Sequence, residues 1–177
     1  MSISRGAAKV VAATATLALT FSLPADANVR RFSDAHNDTS SSVDIWSVRV
    51  DNSTTNRSKV IVVVRQDNVR LGDSIHVHID TRKADRGPEY VIEGTASSEF
   101  FMYHQERWKD RGRPVPFRCG YRLTIKEDAD RSRAAIPRKC LGFPGKVRVA
   151  VKADRGFPPT SRDWAPARRT WFRSVAR

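Results

Sequence analysis

The segment "SIHVHIDT" (Ser74–Thr81) alternates apolar and polar residues. The apolar residues are Ile75, Val77 and Ile79. The polar residues between them are His76, His78 and Asp80. Because successive side chains of a β-strand point to opposite faces of the sheet, this pattern predicts a strand with one buried face and one polar face.

Segments of similar character occupy much of the remaining sequence. The clearest are 43–50, 59–66, 89–94 and 147–153, and turn-forming residues separate them. The segment 99–108 fits either a strand or a short helix. No long segment shows helical periodicity, so the residues predict a single all-β domain, either a sandwich or a barrel.

The first 27 residues have the features of a signal peptide. Arg5 and Lys9 precede an apolar run at 10–23, and the small residues that end the segment suit cleavage after Ala27. We therefore expect a secreted protein whose mature domain is Asn28–Arg177. The apolar run is shorter than the ~20 residues that span a bilayer, and we expect no transmembrane segment in the mature chain.

The chain is strongly basic, with 32 Lys and Arg residues against 19 Asp and Glu residues and a net charge of +13. Such a surface attracts polyanions in a salt-dependent manner. Because we expect export, an anionic cell-envelope polymer or glycan is the favoured partner, and intracellular nucleic acid is not. The alternative is a charge without a function, since the cations are dispersed along the sequence.

Cys119 and Cys140 are the only two cysteines, and in an exported chain they are expected to form a disulfide. The segments that contain them suggest a hairpin turning at 128–131. One register brings the apolar residues of both strands to the same face. That register pairs Cys119 with Cys140, Leu123 with Ile136, and Ile125 with Ala134.

Three longer segments carry a resemblance to known proteins. "DAHNDTSSSVDIWSV" (34–48), "IDTRKADRGPEY" (79–90) and "IPRKCLGFPGKVRVAV" (136–151) resemble exported actinobacterial proteins that are similar to carbohydrate-binding-module-9-like and DOMON-like β-sandwiches. "DWAP" (163–166) fits the closing strand of such chains. The resemblance implies a jelly-roll-like antiparallel β-sandwich without a catalytic centre, and in some relatives a structural calcium ion or a sugar-binding face. It implies no particular ligand residues in this chain.

His76 and His78 are candidate zinc ligands, because two histidines at i and i+2 of a strand share one face. The string H-x-H-x-D resembles the start of the metallo-β-lactamase motif, but Thr81 stands where that motif continues with histidine. Further histidine ligands would have to come from His36 and His104. The alternative, which we favour, is an ordinary strand with a polar face.

Asp34, Asp38 and Asp44 form the better candidate metal site. They lie in the polar entry segment that leads into the first clear strand, and carboxylates in loops are the ligands that calcium prefers. Asp80 and Asp85 bracket another turn. No EF-hand spacing occurs, and Asp is also an ordinary turn residue. We expect no catalytic cofactor, and any calcium bound here would be structural.

Trp108 is the best candidate for a ligand-binding aromatic residue, because it lies in the charged segment "ERWKDRGRP". The basic residues around it suit an acidic polymer through charge and stacking contacts, and they are Arg107, Lys109, Arg111 and Arg113. Trp46 lies among apolar strand residues, and we expect it in the core.

These observations favour a secreted, non-catalytic binding or envelope-associated module for an extracellular carbohydrate or polyanion. The alternative is a small metal-dependent hydrolase that uses the His76 and His78 strand. An inhibitor or adhesin that acts through its loops is a third class. A G-x-S-x-G nucleophile motif is absent from the sequence, and the disulfide would consume both thiols.

Overall fold

The chain folds into short β-strands that form two sheets. A computed structural model describes residues 28–39, 43–55, 58–85, 87–109 and 111–177. The predicted signal peptide (1–27) lies outside these ranges. The strands are β1 (Val29–Ser33), β2 (Ile45–Asp51), β3 (Lys59–Gln66), β4 (Ser74–Asp80), β5 (Tyr90–Thr95), β6 (Phe100–His104), β7 (Arg122–Lys126), β8 (Arg131–Pro137), β9 (Lys146–Arg155), β10 (Ser161–Ala165) and β11 (Val175–Ala176). Short 3-10 helices occur at Phe117–Cys119, Glu127–Ala129 and Arg138–Leu141.

The two sheets are antiparallel and pack as a sandwich. The five-stranded sheet has the order β1-β2-β3-β8-β7, and the six-stranded sheet has the order β10-β9-β4-β5-β6 with β11 beside β9. The chain changes sheet between β3 and β4, between β6 and β7, and between β8 and β9. The ambiguous segment 99–108 contributes β6, a strand. The predicted all-β sandwich with one disulfide is confirmed.

The core lies between the inner faces of the sheets. Ile75, Val77 and Ile79 of β4 are fully buried, as the alternation predicts. Val60, Val62 and Val64 of β3 are also fully buried and belong to the same core cluster. Burial of each such side chain contributes about 1.5–3 kcal/mol. The strand β4 pairs with β5 on one side and with β9 on the other, so it lies in the middle of its sheet.

The predicted disulfide between Cys119 and Cys140 forms, with 5.8 Å between their Cα atoms. The predicted hairpin register is wrong by two residues. In the structure Leu123 pairs with Ala134 and Ile125 pairs with Ser132. Both cysteines lie in 3-10 helices outside the strands, so their bond does not fix the strand register. The apolar residues keep their face because the side-chain period of a strand is two.

Trp46 is not a core residue, contrary to expectation, and 37% of it is exposed. The pairing of β2 with β3 shifts between Ile45 and Ser47, which leaves Trp46 as an extra residue on β2. Such an irregularity changes which side chains face the core. Ile45 and Val48 are fully buried instead.

Arg138 is a buried cation that connects three parts of the fold, and only 2% of it is exposed. Its guanidinium donates hydrogen bonds to the carbonyl oxygens of Asn52, Ser53 and Pro144. The backbone N–H of Arg138 donates a hydrogen bond of 2.9 Å to the carbonyl oxygen of Ser58. Burial lowers the pKa of Arg138, with Arg177 acting in the same direction. The residue therefore holds the exit of β8 against the connection between β2 and β3.

We expect Arg138→Met to destabilise the protein by about 3 kcal/mol or more, because several buried carbonyl groups lose their donor. The matched control is Lys139→Met at the neighbouring exposed position, with an expected change within about 0.5 kcal/mol. Urea unfolding measures both values. Equal stability of the two variants would contradict the role assigned to Arg138.

Candidate functional site

The outer face of the six-stranded sheet carries most of the chemically distinctive side chains. These side chains form two neighbouring groups. The ionic cleft consists of His76, Glu93, Arg111, Lys152, Asp154 and Arg162. The aromatic cluster consists of His78, Trp108, Trp164 and Trp171. The outward positions of β4 link the two groups, because they contribute His76 to the first and His78 to the second.

His76 lies between two carboxylates in the ionic cleft. Its Nδ1 is 2.9 Å from Glu93 Oε2, and its Nε2 is 3.3 Å from Asp154 Oδ2. Because carboxylates only accept hydrogen bonds, the ring donates in both directions when both nitrogens are protonated. Strand pairing produces this contact, since His76 pairs with Glu93 of β5 and with Lys152 of β9.

Three cations neutralise the two carboxylates. Lys152 Nζ lies 2.7 Å from Asp154 Oδ2, and Arg162 Nε lies 2.5 Å from Asp154 Oδ1. Arg111 lies 2.6 Å from Glu93 Oε1. Although burial acts to raise it, hydrogen bonds from His76, Lys152 and Arg162 hold the pKa of Asp154 well below its usual range. The pKa of Glu93 is also lowered. Burial acts to raise it, but His76 and Arg111 favour the charged form and, together with the other nearby charges, outweigh burial.

Aromatic side chains border the ionic cleft, which has a volume of about 480 Å³. Phe157, in the turn between β9 and β10, is 99% exposed. Phe101 of β6 is also exposed, and the guanidinium of Arg111 lies 5.7 Å from the ring centre of Tyr103. The cleft therefore combines planar charged groups with open aromatic faces.

Trp108 belongs to the half-buried aromatic cluster and does not stand alone in solvent. Its ring centre lies 4.6 Å from that of Trp171, 5.9 Å from that of Trp164 and 5.3 Å from that of His78. Trp164 stacks on His78 with 5.5 Å between ring centres. Arg148 extends the cluster with its guanidinium 5.5 Å from the ring centre of Trp171. The segment around Trp108 therefore folds back over the sheet.

His78 is the buried member of this cluster, with 4% exposure. Its Nδ1 is 3.1 Å from Gln105 Oε1, and its Nε2 has no hydrogen-bond partner in the described part of the chain. Burial lowers the pKa of His78 to about 3, and the charges of His76 and Lys152 act in the same direction. The ring is therefore neutral at physiological pH.

The zinc alternative proposed for His76 and His78 stays a prediction, since among the described residues these histidines belong to no group of three potential metal ligands. Their rings are nearly parallel with centres 6.5 Å apart. Two clusters of three or more potential metal ligands occur among the described residues, and neither contains His76 or His78. His104 contacts Tyr90, and His36 lies with Asp44 and Asp67.

The basic loop (105–113, described except for 110) presents cations next to the ionic cleft. Arg107, Lys109 and Arg113 are exposed, and none has an ion pair within the described residues. Arg111 is the member that reaches into the cleft. Gly112 allows the loop to close, because a Cβ atom there would clash with the carbonyl oxygen of His104. Arg113 and Glu89 line a second cavity of about 650 Å³.

The structure brings Asp34 and Asp38 together, as the metal-site expectation requires. Their third partner is Asp163 of β10, with ligand atoms of all three residues within 4.8 Å of one another. Asp44 groups with His36 and Asp67 beside them. We name Asp34, Asp38, Asp44 and Asp163 the acidic cluster.

Several residues of these sites were not identified from the sequence. They are Asp163 in the acidic cluster, Glu93, Asp154, Lys152 and Arg162 in the ionic cleft, and Phe157 at its border. "GFPP" (156–159) contained a signal for Phe157, because an aromatic residue in a Gly-Pro turn is expected at the surface. The other residues lie on strands whose neighbours only the topology specifies.

Comparisons with protein-family models, with curated proteins and with solved structures give no match. The resemblance to carbohydrate-binding-module-9-like and DOMON-like sandwiches therefore stays a prediction. Within the described residues, no helix has the length and apolar character needed to cross a membrane.

We expect acid to destabilise the protein through His78. Its folded-state pKa is about 3, below the ordinary value of about 6.5, so the unfolded chain binds the proton first. Above about pH 6.5, His78 does not lower the free energy of unfolding. As the pH falls toward 3, protonation of His78 in the unfolded chain lowers that free energy by up to about 1.4 kcal/mol per pH unit.

His78→Phe removes this proton while keeping a ring in the cluster, and the matched control is His104→Phe at an exposed histidine. The measurement is the free energy of unfolding from pH 7 to pH 4. The slope should flatten in His78→Phe and persist in the control. An unchanged slope in His78→Phe would refute the buried neutral state.

Proposed function

We propose that the protein is a non-catalytic binding module for an anionic extracellular carbohydrate polymer, and that the outer face of the six-stranded sheet is its binding surface. The observation that carries this proposal is the ionic cleft with exposed aromatic rings at its border, next to a loop in which Arg107, Lys109 and Arg113 have no ion pair among the described residues. This arrangement agrees with the resemblance to carbohydrate-binding sandwiches.

The ionic cleft suits sugar hydroxyl groups. A hydroxyl both donates and accepts hydrogen bonds, and the cleft offers carboxylate acceptors next to guanidinium and ammonium donors. Its internal ion pairs hold these groups in place before a ligand arrives, which reduces the entropy lost on binding. The exposed rings of Phe157 and Phe101 provide apolar faces on which a pyranose ring can pack.

The basic loop suits an acidic polymer. The cations of the cleft are already paired with Glu93 and Asp154, so a ligand carboxylate or sulfate would be attracted by the exposed cations of the loop instead. Arg107, Lys109 and Arg113 provide this charge in a chain whose net charge is +13. Their exposure makes the attraction dependent on ionic strength.

The cleft carboxylates favour binding over catalysis. Hydrolysis of a glycoside by two carboxyl groups requires one that stays protonated near neutral pH, which means a raised pKa. Asp154 and Glu93 both have lowered pKa values, because the hydrogen bonds and cations around them, His76 among them in both cases, together outweigh burial. Both groups are therefore ionised acceptors suited to holding a ligand.

We expect the protein to bind polygalacturonate at low salt and to bind neutral pullulan more weakly. Arg107→Gln with Arg113→Gln should weaken polygalacturonate binding about tenfold, which corresponds to about 1.4 kcal/mol for two contacts. The matched control is Arg122→Gln with Arg133→Gln on the five-stranded sheet, because it removes the same charge from exposed positions. Calorimetric titration at two salt concentrations measures the affinities.

The aromatic part of the same experiment compares Phe157→Ala with Phe143→Ala, an exposed aromatic residue outside the cleft. Only Phe157→Ala should weaken binding. If both charge variants lose affinity equally and Phe157→Ala binds normally, the interaction is general charge attraction and the proposed face is wrong. Tighter binding of inorganic polyphosphate than of polygalacturonate would also contradict a carbohydrate ligand.

A further inference from the structure

The acidic cluster lies where the two sheets meet at one edge of the sandwich. Asp34 and Asp38 follow β1, Asp44 precedes β2, and Asp163 comes from β10 of the opposite sheet. Asp163 Oδ2 accepts a hydrogen bond of 2.7 Å from the backbone N–H of Ile45. Carboxylates that are distant in sequence therefore converge on one point between the sheets.

The acidic cluster has no cationic side chain to balance it in the part of the chain that the structure describes, apart from His36. His36 Nε2 lies 3.7 Å from Asp44 Oδ2 and 2.8 Å from Asp67 Oδ2. No lysine or arginine forms an ion pair with any of the four aspartates among these residues. The chain has a net charge of +13, and yet none of its described lysines and arginines forms an ion pair with these four aspartates.

Two buried carboxylate oxygens of the acidic cluster have no partner within the described residues. Asp44 is only 2% exposed, and its Oδ1 accepts no hydrogen bond, whereas its Oδ2 accepts one from the backbone N–H of Asn37. Asp34 Oδ2 is likewise buried and unpartnered. A buried, unsatisfied carboxylate oxygen is costly, so these atoms point to a missing partner.

The electrostatics agree with this geometry. Burial, followed by the charges of Asp163 and Asp38, raises the pKa of Asp34 to about 7. Burial also raises the pKa of Asp163 against hydrogen bonds from Ile45 and Trp164, and burial and Asp44 raise that of Asp38. The carboxylates therefore repel one another, and a bound cation would relieve that repulsion.

We propose that the acidic cluster binds one divalent cation of the calcium type, with Asp34, Asp38 and Asp163 as its ligands and Asp44 beside them. The donors are carboxylate oxygens, two from the segment after β1 and one from β10, and such oxygens suit calcium, which tolerates irregular coordination better than magnesium with its strict octahedral geometry. Zinc is disfavoured because these three residues offer neither imidazole nor thiolate. The cation would join the segment after β1 to β10 and so close this edge of the sandwich.

The test is thermal melting and calorimetric titration of the chelator-treated protein with calcium chloride. At 10 mM calcium we expect one equivalent to bind and the melting temperature to rise by about 5 °C or more. Asp34→Asn should lose most of this rise. In chelator, Asp34→Asn should melt at or above the wild type, because a repelling charge is gone, whereas a purely structural aspartate would give a lower melting temperature.

The matched control is Asp85→Asn, an exposed aspartate paired with Arg82 in the loop after β4, which should respond to calcium like the wild type. Asp38→Asn serves as a second variant if Asp34→Asn does not fold. Absence of calcium binding at 10 mM would overturn the proposal. So would a calcium response of the cluster variant equal to that of Asp85→Asn, or a response to zinc but not to calcium. This proposal is independent of the carbohydrate proposal, since its readouts require no polymer.

Discussion

The two-residue alternation of β4 is the constraint on which the core and the candidate site both depend. Its inward positions place Ile75, Val77 and Ile79 in the middle of the core. Its outward positions place His76 opposite Glu93 on one neighbouring strand and opposite Lys152 on the other. A register slip of one residue would expose the aliphatic side chains and bury the ionic ones, so packing of the core fixes the arrangement of the cleft.

Charge is distributed unevenly over this scaffold. In the ionic cleft, carboxylates and cations are paired, whereas Arg107, Lys109 and Arg113 of the adjacent loop are exposed and have no ion pair among the described residues. At the edge near β10, carboxylates gather without such pairing. Asp163 and Trp164 are adjacent on β10 and take part in the acidic and the aromatic cluster respectively. The edge that a cation would close therefore also positions one side of the outer face.

Local pattern predicted much of the fold, and long-range contacts account for what it did not predict. The alternation in 74–81 was sufficient to predict the strand β4, and the presence of only two cysteines, Cys119 and Cys140, was sufficient to predict the disulfide. The irregular pairing that exposes Trp46 leaves no mark in composition, and a shift of two residues in the hairpin preserves the apolar face on which the prediction relied. Asp34 and Asp38 are neighbours in sequence, whereas Asp163 joins them only through the pairing of distant strands.

We propose, above all, that a ligand binds on the outer face of the six-stranded sheet. The most direct test is an amide chemical-shift map of ¹⁵N-labelled protein titrated with an oligogalacturonide. The account predicts that the largest changes fall on β4, β5, β6, β9 and the basic loop, with little change on β2, β3, β7 and β8. Changes centred on the five-stranded sheet, or no change at millimolar ligand, would contradict it.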